Sequence, residues 1–174
     1  MALGLDMTKE IVFASSEATV SRRISQLEKS GKLRKLAPRI YTTNLQDSPE
    51  HIIRRNLIDV LAWRLPEAVI SHRSAHELRP TETNDFFITH TFNRKITDIP
   101  GITLNVMKGK PALENDIPFG TLPIHISSEC RWILEVMQIS RKKGEESKSF
   151  PLEFVEQRLG KMIHAGGEDK DKSV

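Results

Sequence analysis

Residues 20–36, VSRRISQLEKSGKLRKL, combine a helical repeat of apolar residues with a marked excess of positive charge. Ser16 is a suitable N-cap, Glu17 favours the first turn, and Gly31 can adopt the left-handed conformation just beyond the helix end. The segment is therefore predicted to form an amphipathic helix with one aliphatic face. The apolar side chains recur at intervals of four and three residues and share that face: Val20, Ile24 and Leu27.

The positive charge of the chain is concentrated around this helix. The chain has 174 residues, of which 26 are Lys or Arg and 23 are Asp or Glu, giving a net charge of +3. Residues 19–41 hold seven of the basic residues and one acidic residue, so this segment carries +6 and the remaining chain −3. A local excess of one sign is a recognised indication of a polyanionic partner.

The residues on both sides of the helix complete a pattern typical of a winged helix-turn-helix. Upstream, TKEIVFA (8–14) is predicted to form a short helix capped by Thr8. Downstream, two short apolar runs on either side of APR predict two strands joined by a turn. A helix, a turn, a second helix and a basic hairpin therefore predict a winged helix-turn-helix domain over residues 7–44.

Two interpretations of the basic helix remain open at this point. A solvated amphipathic helix is the simpler one, because charged outer faces are common. Contact with DNA is favoured for three reasons. The exposed cations are mixed with Ser and Gln, which can bond to phosphates and base edges, and the exposed charges are nearly all positive where a solvated face usually alternates in charge. The excess of positive charge also continues into the hairpin. In that case the outer helix face meets base edges in the major groove and the hairpin cations neutralise phosphates. The predicted DNA-binding residues are Arg22, Arg23, Ser25, Gln26, Lys29, Lys32, Arg34, Lys35 and Arg39.

Residues 48–163 are predicted to form a second unit that mixes helices and strands. A helix over 49–65 has Ser48 as its cap and Pro49 at its first position. The predicted fold class is therefore α+β, with an N-terminal winged helix-turn-helix followed by a small mixed α/β domain, and residues 164–174 are predicted to be disordered. Strands are predicted at 68–71, 85–90, 102–108 and 122–127, and further helices at 127–138 and 151–163.

Residues with catalytic or metal-binding potential are few, and no catalytic residue, metal or cofactor is predicted from them. His72 and His76 are four residues apart, but no third ligand is nearby in the sequence. Ser71 is instead predicted to cap a short helix and Arg73 to form an internal ion pair. Cys130 is predicted to be an ordinary buried or half-buried cysteine.

Three weaker patterns are also present in the sequence. Asp116, in the sequence ENDIPFG, is predicted to be a turn residue and not a metal ligand. Glu146 and Lys148 match a fragment of a metal-dependent nuclease signature. They lie in a run of charged residues, in which such a short match is expected by chance. Inward-facing side chains of the helix at 127–138 are predicted to be Trp132, Ile133, Val136 and Met137.

The sequence from about residue 8 to about residue 160 resembles the AbiEi family of antitoxins from type IV toxin–antitoxin systems. The resemblance is carried by SGKLRKL…IYTT around the hairpin and by SHRSA (71–75). It implies a bacterial, DNA-binding antitoxin that represses its own promoter, counteracts a nucleotidyltransferase-like toxin and is not an enzyme. Pro38-Arg39 departs from the family pattern, which often has a basic residue followed by Gly.

PALENDIPFG and ISSECRWILEV are also similar to the region in front of the catalytic domain of some bacterial Fic proteins. A non-catalytic regulatory or protein-interaction module is therefore the alternative function. Fic catalysis itself is excluded for this chain, since no His-Pro-Phe stretch followed by Gly-Asn-Gly-Arg occurs in it.

The remaining features indicate a cytoplasmic protein with no membrane partner. A single cysteine cannot form an internal disulfide, which fits a reducing compartment. Neither a signal peptide nor a membrane-spanning apolar stretch is predicted.

Overall fold

The computed structural model of the protein describes residues 6–137 and 148–168, with the backbone alone at 165–168. Helices and strands alternate irregularly along the chain, as expected for the α+β class. The elements are β1 Ile11–Phe13, α1 Ala18–Lys29, β2 Arg34–Ala37, β3 Ile40–Thr42, α2 Pro49–Arg55, α3 Leu57–Arg64, β4 Val69–Ile70, α4 His72–Glu77, β5 Asp85–His90, β6 Arg94–Ile99, β7 Ile102–Lys108, β8 Ile117–Pro118, β9 His125–Ile126, α5 Glu129–Met137 and α6 Leu152–Glu168.

The N-terminal segment forms a three-stranded antiparallel sheet in the order β1-β3-β2, with α1 between β1 and β2 in the chain. The predicted helix at 8–14 is wrong, because Ile11 to Phe13 pair with β3 as a strand. Residues 11–13 are two β-branched residues and one aromatic, which suit a strand, and a helix of seven residues gains little without tertiary support. Among the described residues, this segment therefore has one helix where the winged helix-turn-helix prediction places two.

Helix α1 lies close to its predicted position, and its C-terminal end shows a specific capping motif. Glu17 is the N-cap and its side chain makes no capping bond, so the predicted Ser16 cap is wrong by one residue. At the other end Gly31 adopts a left-handed φ of 68°. The amide of Gly31 donates to Glu28 O at 3.0 Å and that of Lys32 to Leu27 O at 2.8 Å, the two bonds of a Schellman motif.

The two faces of the first sheet pack on different partners because side chains alternate along a strand. Val12 of β1 and Ala14, which follows that strand, pack with Ile24 of α1 and with Leu33. Ile11, on the opposite face, belongs to the main core of the second unit. The sheet is therefore covered on both sides.

The second sheet has six strands in the order β6-β7-β5-β4-β9-β8. β5 pairs parallel with β7 and β4 parallel with β9, while the other neighbours are antiparallel. Phe86 and Leu104 lie on the face that packs on α2 and α3. Phe87 lies on the other face, where its amide donates to the Ser74 hydroxyl of α4 at 2.9 Å. The edge strands β6 and β8 were not predicted from the sequence.

The predicted helix at 49–65 is two helices, which meet at Asn56. Ser48 caps the first helix by accepting from the amide of His51 at 3.3 Å, and Pro49 opens it, so both predictions are confirmed. Asn56 has a non-helical φ of −111°. Its side chain donates to Ile52 O at 2.8 Å, the kind of local bond by which Asn competes with a continuous helix.

The main hydrophobic core joins the two units that the sequence predicts as separate. Leu36 and Ile40 of the β2–β3 hairpin lie in one buried cluster with Ile53 of α2 and Phe86 of β5. A second cluster, around Trp132, holds α5 and α6 against α4. Helix α6 continues to Glu168, past its predicted end at 163, and the rest of the predicted disordered tail lies outside the described residues. None of the helices in the described ranges is both long and apolar enough to span a membrane.

Candidate nucleic-acid interface

Helix α1 presents its predicted basic face to solvent and its aliphatic face to the core. Ile24 retains 2% of its surface, and Val20 and Leu27 are partly buried beside it. The phase of this helix agrees with the prediction from apolar spacing. All five predicted DNA-binding residues on α1 are exposed: Arg22, Arg23, Ser25, Gln26 and Lys29.

No carboxylate in the described part of the chain neutralises the cations of this face. Within residues 6–137 and 148–168, no ion pair involves any of the four exposed cations Arg22, Arg23, Lys29 and Lys32. The acidic residue of the helix, Glu28, points about 100° away from Lys29, because successive residues turn by that angle. The outward face of α1 therefore combines positive charge that has no carboxylate partner within the described ranges with the hydrogen-bonding groups of Ser and Gln.

Lys32 and Lys35 extend this surface beyond the end of the helix. Lys32 follows Gly31 and is exposed. Lys35 is exposed on β2, opposite Tyr41 of β3. Leu33, two residues before Lys35, and Tyr41 both pack against α1, which places Lys35 on the sheet face turned toward that helix. We define the basic surface as Arg22, Arg23, Ser25, Gln26, Lys29, Lys32 and Lys35.

Arg34 does not belong to the basic surface, in contrast to its predicted role. It is the neighbour of Lys35 on a strand, so its side chain points to the opposite face of the sheet. There it is half-buried, and its guanidinium donates to Asn44 O at 3.2 Å and to Asp47 O. The side chain thus supports the loop that leads into α2.

Arg39, at the tip of the β2–β3 hairpin, also contacts other residues of the protein. Its Nε donates to Ala14 O at 3.2 Å. Its Cζ lies 5.7 Å from the ring centroid of Trp63, a cation–π distance. Trp63 in turn stacks on Phe13, with centroids 4.9 Å apart and planes inclined by 10°. Arg39 is exposed, but it lies on the face of the sheet that packs on α3.

A polar network fastens the first sheet to α2. Arg55 donates to Glu10 Oε2 at 2.8 Å and to Asp47 Oδ2 at 2.6 Å, and Asn44 and Asn56 donate to Glu10 at 2.9 and 2.7 Å. The hydrogen bond from Arg55 is the largest cause that lowers the pKa of Glu10 from 4.5 to about 2, and the two asparagine amides add to it against the opposing effect of burial. This network fixes the orientation of the sheet and of the α1 helix packed on it.

A second group of charged residues, which sequence reasoning missed, lies beside α5. Arg131 forms ion pairs with the fully buried Asp116 and with Glu135 at 3.0 Å, and Glu135 accepts the His72 amide at 3.0 Å. Burial acts to raise the pKa of Asp116, but the amides of Leu113 and Ser128 and the Arg131 guanidinium outweigh it, so the pKa lies below 3.8. The i, i+4 spacing of Arg131 and Glu135 was a usable sequence signal, whereas nothing in the sequence connects Arg131 to Asp116.

The network around Arg131 holds residues 110–116 against α5. Asp116 closes a turn by donating its amide to Leu113 O at 2.9 Å, which confirms the predicted turn. Arg131 also donates to the carbonyls of Lys110 and Pro111 at 2.8 and 3.0 Å. Between this segment, α5 and the carboxyl ends of β5 and β7 lies a groove of about 780 Å³.

His72 and His76, the two histidines spaced like metal ligands, do not share a site. His72 is buried next to Ser71, with Nδ1 3.0 Å from the serine oxygen. His76 packs among the rings of Trp132 and Phe154. Its pKa is lowered below 6.5, mainly because the side chain is partly buried and secondly because the positive charge of Arg158 is nearby.

Other sequence predictions around these helices have mixed outcomes. Arg73 forms the predicted internal ion pair, with Glu77 at 2.9 Å. Trp132, Ile133 and Val136 are buried as predicted. Cys130 is exposed and Met137 retains 51% of its surface, so both of those burial predictions are wrong.

Metal ligands are not clustered in the described part of the chain. Among those residues there is no group of three or more His, Cys, Asp or Glu side chains that could hold an ion. Glu146 of the nuclease-like fragment lies outside the described residues, and Lys148 is buried.

A comparison of the chain with protein-family models, with curated proteins and with solved structures finds no match in any of the three.

Proposed function

We propose that the protein binds double-stranded DNA through the basic surface of α1 and the Lys32–Lys35 segment. The observation that carries this proposal is a set of exposed cations on one helix face, which form no ion pair with any described residue and lie opposite a packed aliphatic ridge. Because the helix is held in place by its buried aliphatic face, its outer side chains remain available to a partner. The charges of these side chains are positive, which fits a phosphate backbone.

The chemistry of the outer face suits the major groove. Arg22 and Lys29 match guanine O6 and N7, and Gln26 matches adenine N6 and N7. Lys32 and Lys35, at the end of the helix and on β2, fit phosphates that border the groove. Together with the family resemblance, this supports a cytoplasmic antitoxin that represses its own promoter and counteracts a nucleotidyltransferase-like toxin.

The test is a fluorescence-anisotropy titration with labelled DNA from upstream of the protein's own gene, against a scrambled duplex of equal length and composition. If only Lys32 and Lys35 neutralise phosphates, the slope of log K against log salt is about −1.8, and if all five cations of the basic surface do so it is about −4.5. Affinity then decreases by about 12-fold in the first case and about 500-fold in the second between 50 and 200 mM salt. Preference for the upstream duplex supports autorepression, and equal binding to both duplexes contradicts it.

The contact residues are tested by Arg22→Ala and Lys29→Ala. Each variant is expected to weaken binding several-fold and to reduce the preference for the upstream duplex, because both side chains are placed at base edges. Lys161→Ala on α6 is the matched control, since it removes one exposed positive charge elsewhere. Should the wild-type protein show no salt-dependent binding, DNA binding is refuted and a regulatory or protein-interaction module becomes the better explanation.

A further inference from the structure

We propose that the tip of the β2–β3 hairpin is a clasp onto α3 and not a DNA-contacting wing. Recognition is then confined to one major groove and its bordering phosphates, and the flanking minor groove stays free. This inference rests on the proposed DNA binding and specifies which part of the N-terminal segment carries it.

The length of the turn is the first argument. β2 ends at Ala37 and β3 begins at Ile40, and these two residues are direct partners in the ladder. Two residues therefore join the strands, so the hairpin has no loop that projects beyond the sheet. Pro38 fixes one φ angle and Arg39 has a φ of 66°, the combination found in a tight type II turn.

The direction of the side chains is the second argument. Arg39 lies along Trp63 of α3, and its Nε is bonded to Ala14 O. Arg34, the other cation on this face of the hairpin, is bonded to two carbonyls of the loop before α2. On the sheet face opposite α1, Arg39 thus serves the contact with α3, and Arg34 supports the loop that connects the first sheet to α2.

The left-handed backbone of Arg39 is the third argument. L-residues other than Gly rarely adopt positive φ, so a long side chain persists there where its surroundings hold it in place. The stack of Phe13, Trp63 and Arg39 supplies such surroundings. Glycine would fit the backbone better, but it would remove the clasp.

The test compares the salt dependence of DNA binding for Arg39→Gln and for Lys35→Gln, each of which removes one positive charge from the hairpin. Lys35→Gln is expected to reduce the slope of log K against log salt by about 0.9. Arg39→Gln is expected to leave it within about 0.3 of the wild-type value, because the charge removed is not at a phosphate. An equal reduction in both variants overturns the clasp.

A second measurement uses the wild-type protein and so does not depend on the folding of a variant. Netropsin, which occupies A·T-rich minor grooves, is added to the complex on a duplex with A·T-rich flanks. The expected change in affinity is less than about 2-fold, since the major groove stays open. A tenfold or greater loss of DNA affinity in the presence of netropsin refutes this inference but leaves the proposed DNA binding intact. A wild-type protein that does not bind DNA at all refutes both proposals.

Discussion

Replacing the carboxylate of Glu10 tests the network that joins the first sheet to α2. Glu10→Gln keeps the shape of the side chain and removes its charge, so that Arg55 loses one of its two carboxylate partners. Glu10 has a pKa of about 2 in the folded protein, against an ordinary value of 4.5. At 1.36 kcal/mol per pKa unit, the upper limit of the carboxylate's contribution to the free energy of unfolding is about 3.4 kcal/mol. Because the side chain is 25% exposed, solvent screening reduces the expected contribution to about 1–2 kcal/mol.

The pH dependence follows from the direction of the pKa change. A carboxyl whose folded pKa is lowered stabilises the protein above its unfolded pKa, and that stability is lost as the pH falls through the folded pKa. The contribution of Glu10 is therefore complete above about pH 5 and decreases progressively toward pH 2.

The assay is urea denaturation, followed by tryptophan fluorescence, at several pH values between 7 and 2.5. Glu10→Gln is expected to be about 1–2 kcal/mol less stable than wild type at pH 7, and the difference should shrink as the pH falls below 5. Glu28→Gln is the control, since Glu28 is exposed on α1 and forms no ion pair among the described residues. A difference between wild type and Glu10→Gln that stays constant down to pH 2.5 would refute the argument.

Five further substitutions test the helix phase, the buried ion pair and the close approach of Gly109 to β5. In chemical denaturation, Arg22→Ala is expected to change the free energy of unfolding by less than about 0.5 kcal/mol, because the side chain is exposed. Ile24→Ala is expected to lower the free energy of unfolding by about 2–4 kcal/mol, because the side chain is buried. A larger loss of stability for Arg22→Ala than for Ile24→Ala would mean that α1 is rotated about its axis. Asp116→Ala leaves the largely buried guanidinium of Arg131 with Glu135 as its one remaining carboxylate partner among the described residues. A loss of about 2–4 kcal/mol and a fall in Tm on the order of 10 °C are therefore expected, and a fall below about 3 °C would contradict the pairing. Gly109→Ala places a Cβ 2.6 Å from a threonine methyl group of β5 and should lower the free energy of unfolding by about 1–3 kcal/mol. Gly160→Ala on α6 meets no atom within 4 Å and should raise it by about 0.5–1 kcal/mol, and equal effects of the two glycine substitutions would count against this geometry.

Elements with a strong internal pattern could be predicted from the sequence. The spacing of Val20, Ile24 and Leu27 predicted the position of α1 and its buried face, and Gly31 predicted its end. Strands β5 and β7 also lie at their predicted residues, because their β-branched and aromatic runs are long. In such segments the information is local, since neighbours in the sequence determine which side chains share a face.

Elements whose identity depends on a distant partner could not be predicted. The segment at 11–13 is a strand because β3, about thirty residues later, pairs with it. The edge strand β6 alternates too weakly to be recognised without its neighbour β7. Short segments of this kind take their conformation from tertiary context.

The sequence by itself determined that this protein has an amphipathic helix with a concentrated positive charge, because charge and apolar spacing are properties of neighbouring residues. Only the tertiary structure decided which cations remain available to a partner. Lys35 and Arg34 are adjacent and chemically similar, yet one faces solvent beside α1 and the other donates to loop carbonyls before α2. The reason is that a strand sends successive side chains to opposite faces, and the packing of the rest of the chain determines which face is covered.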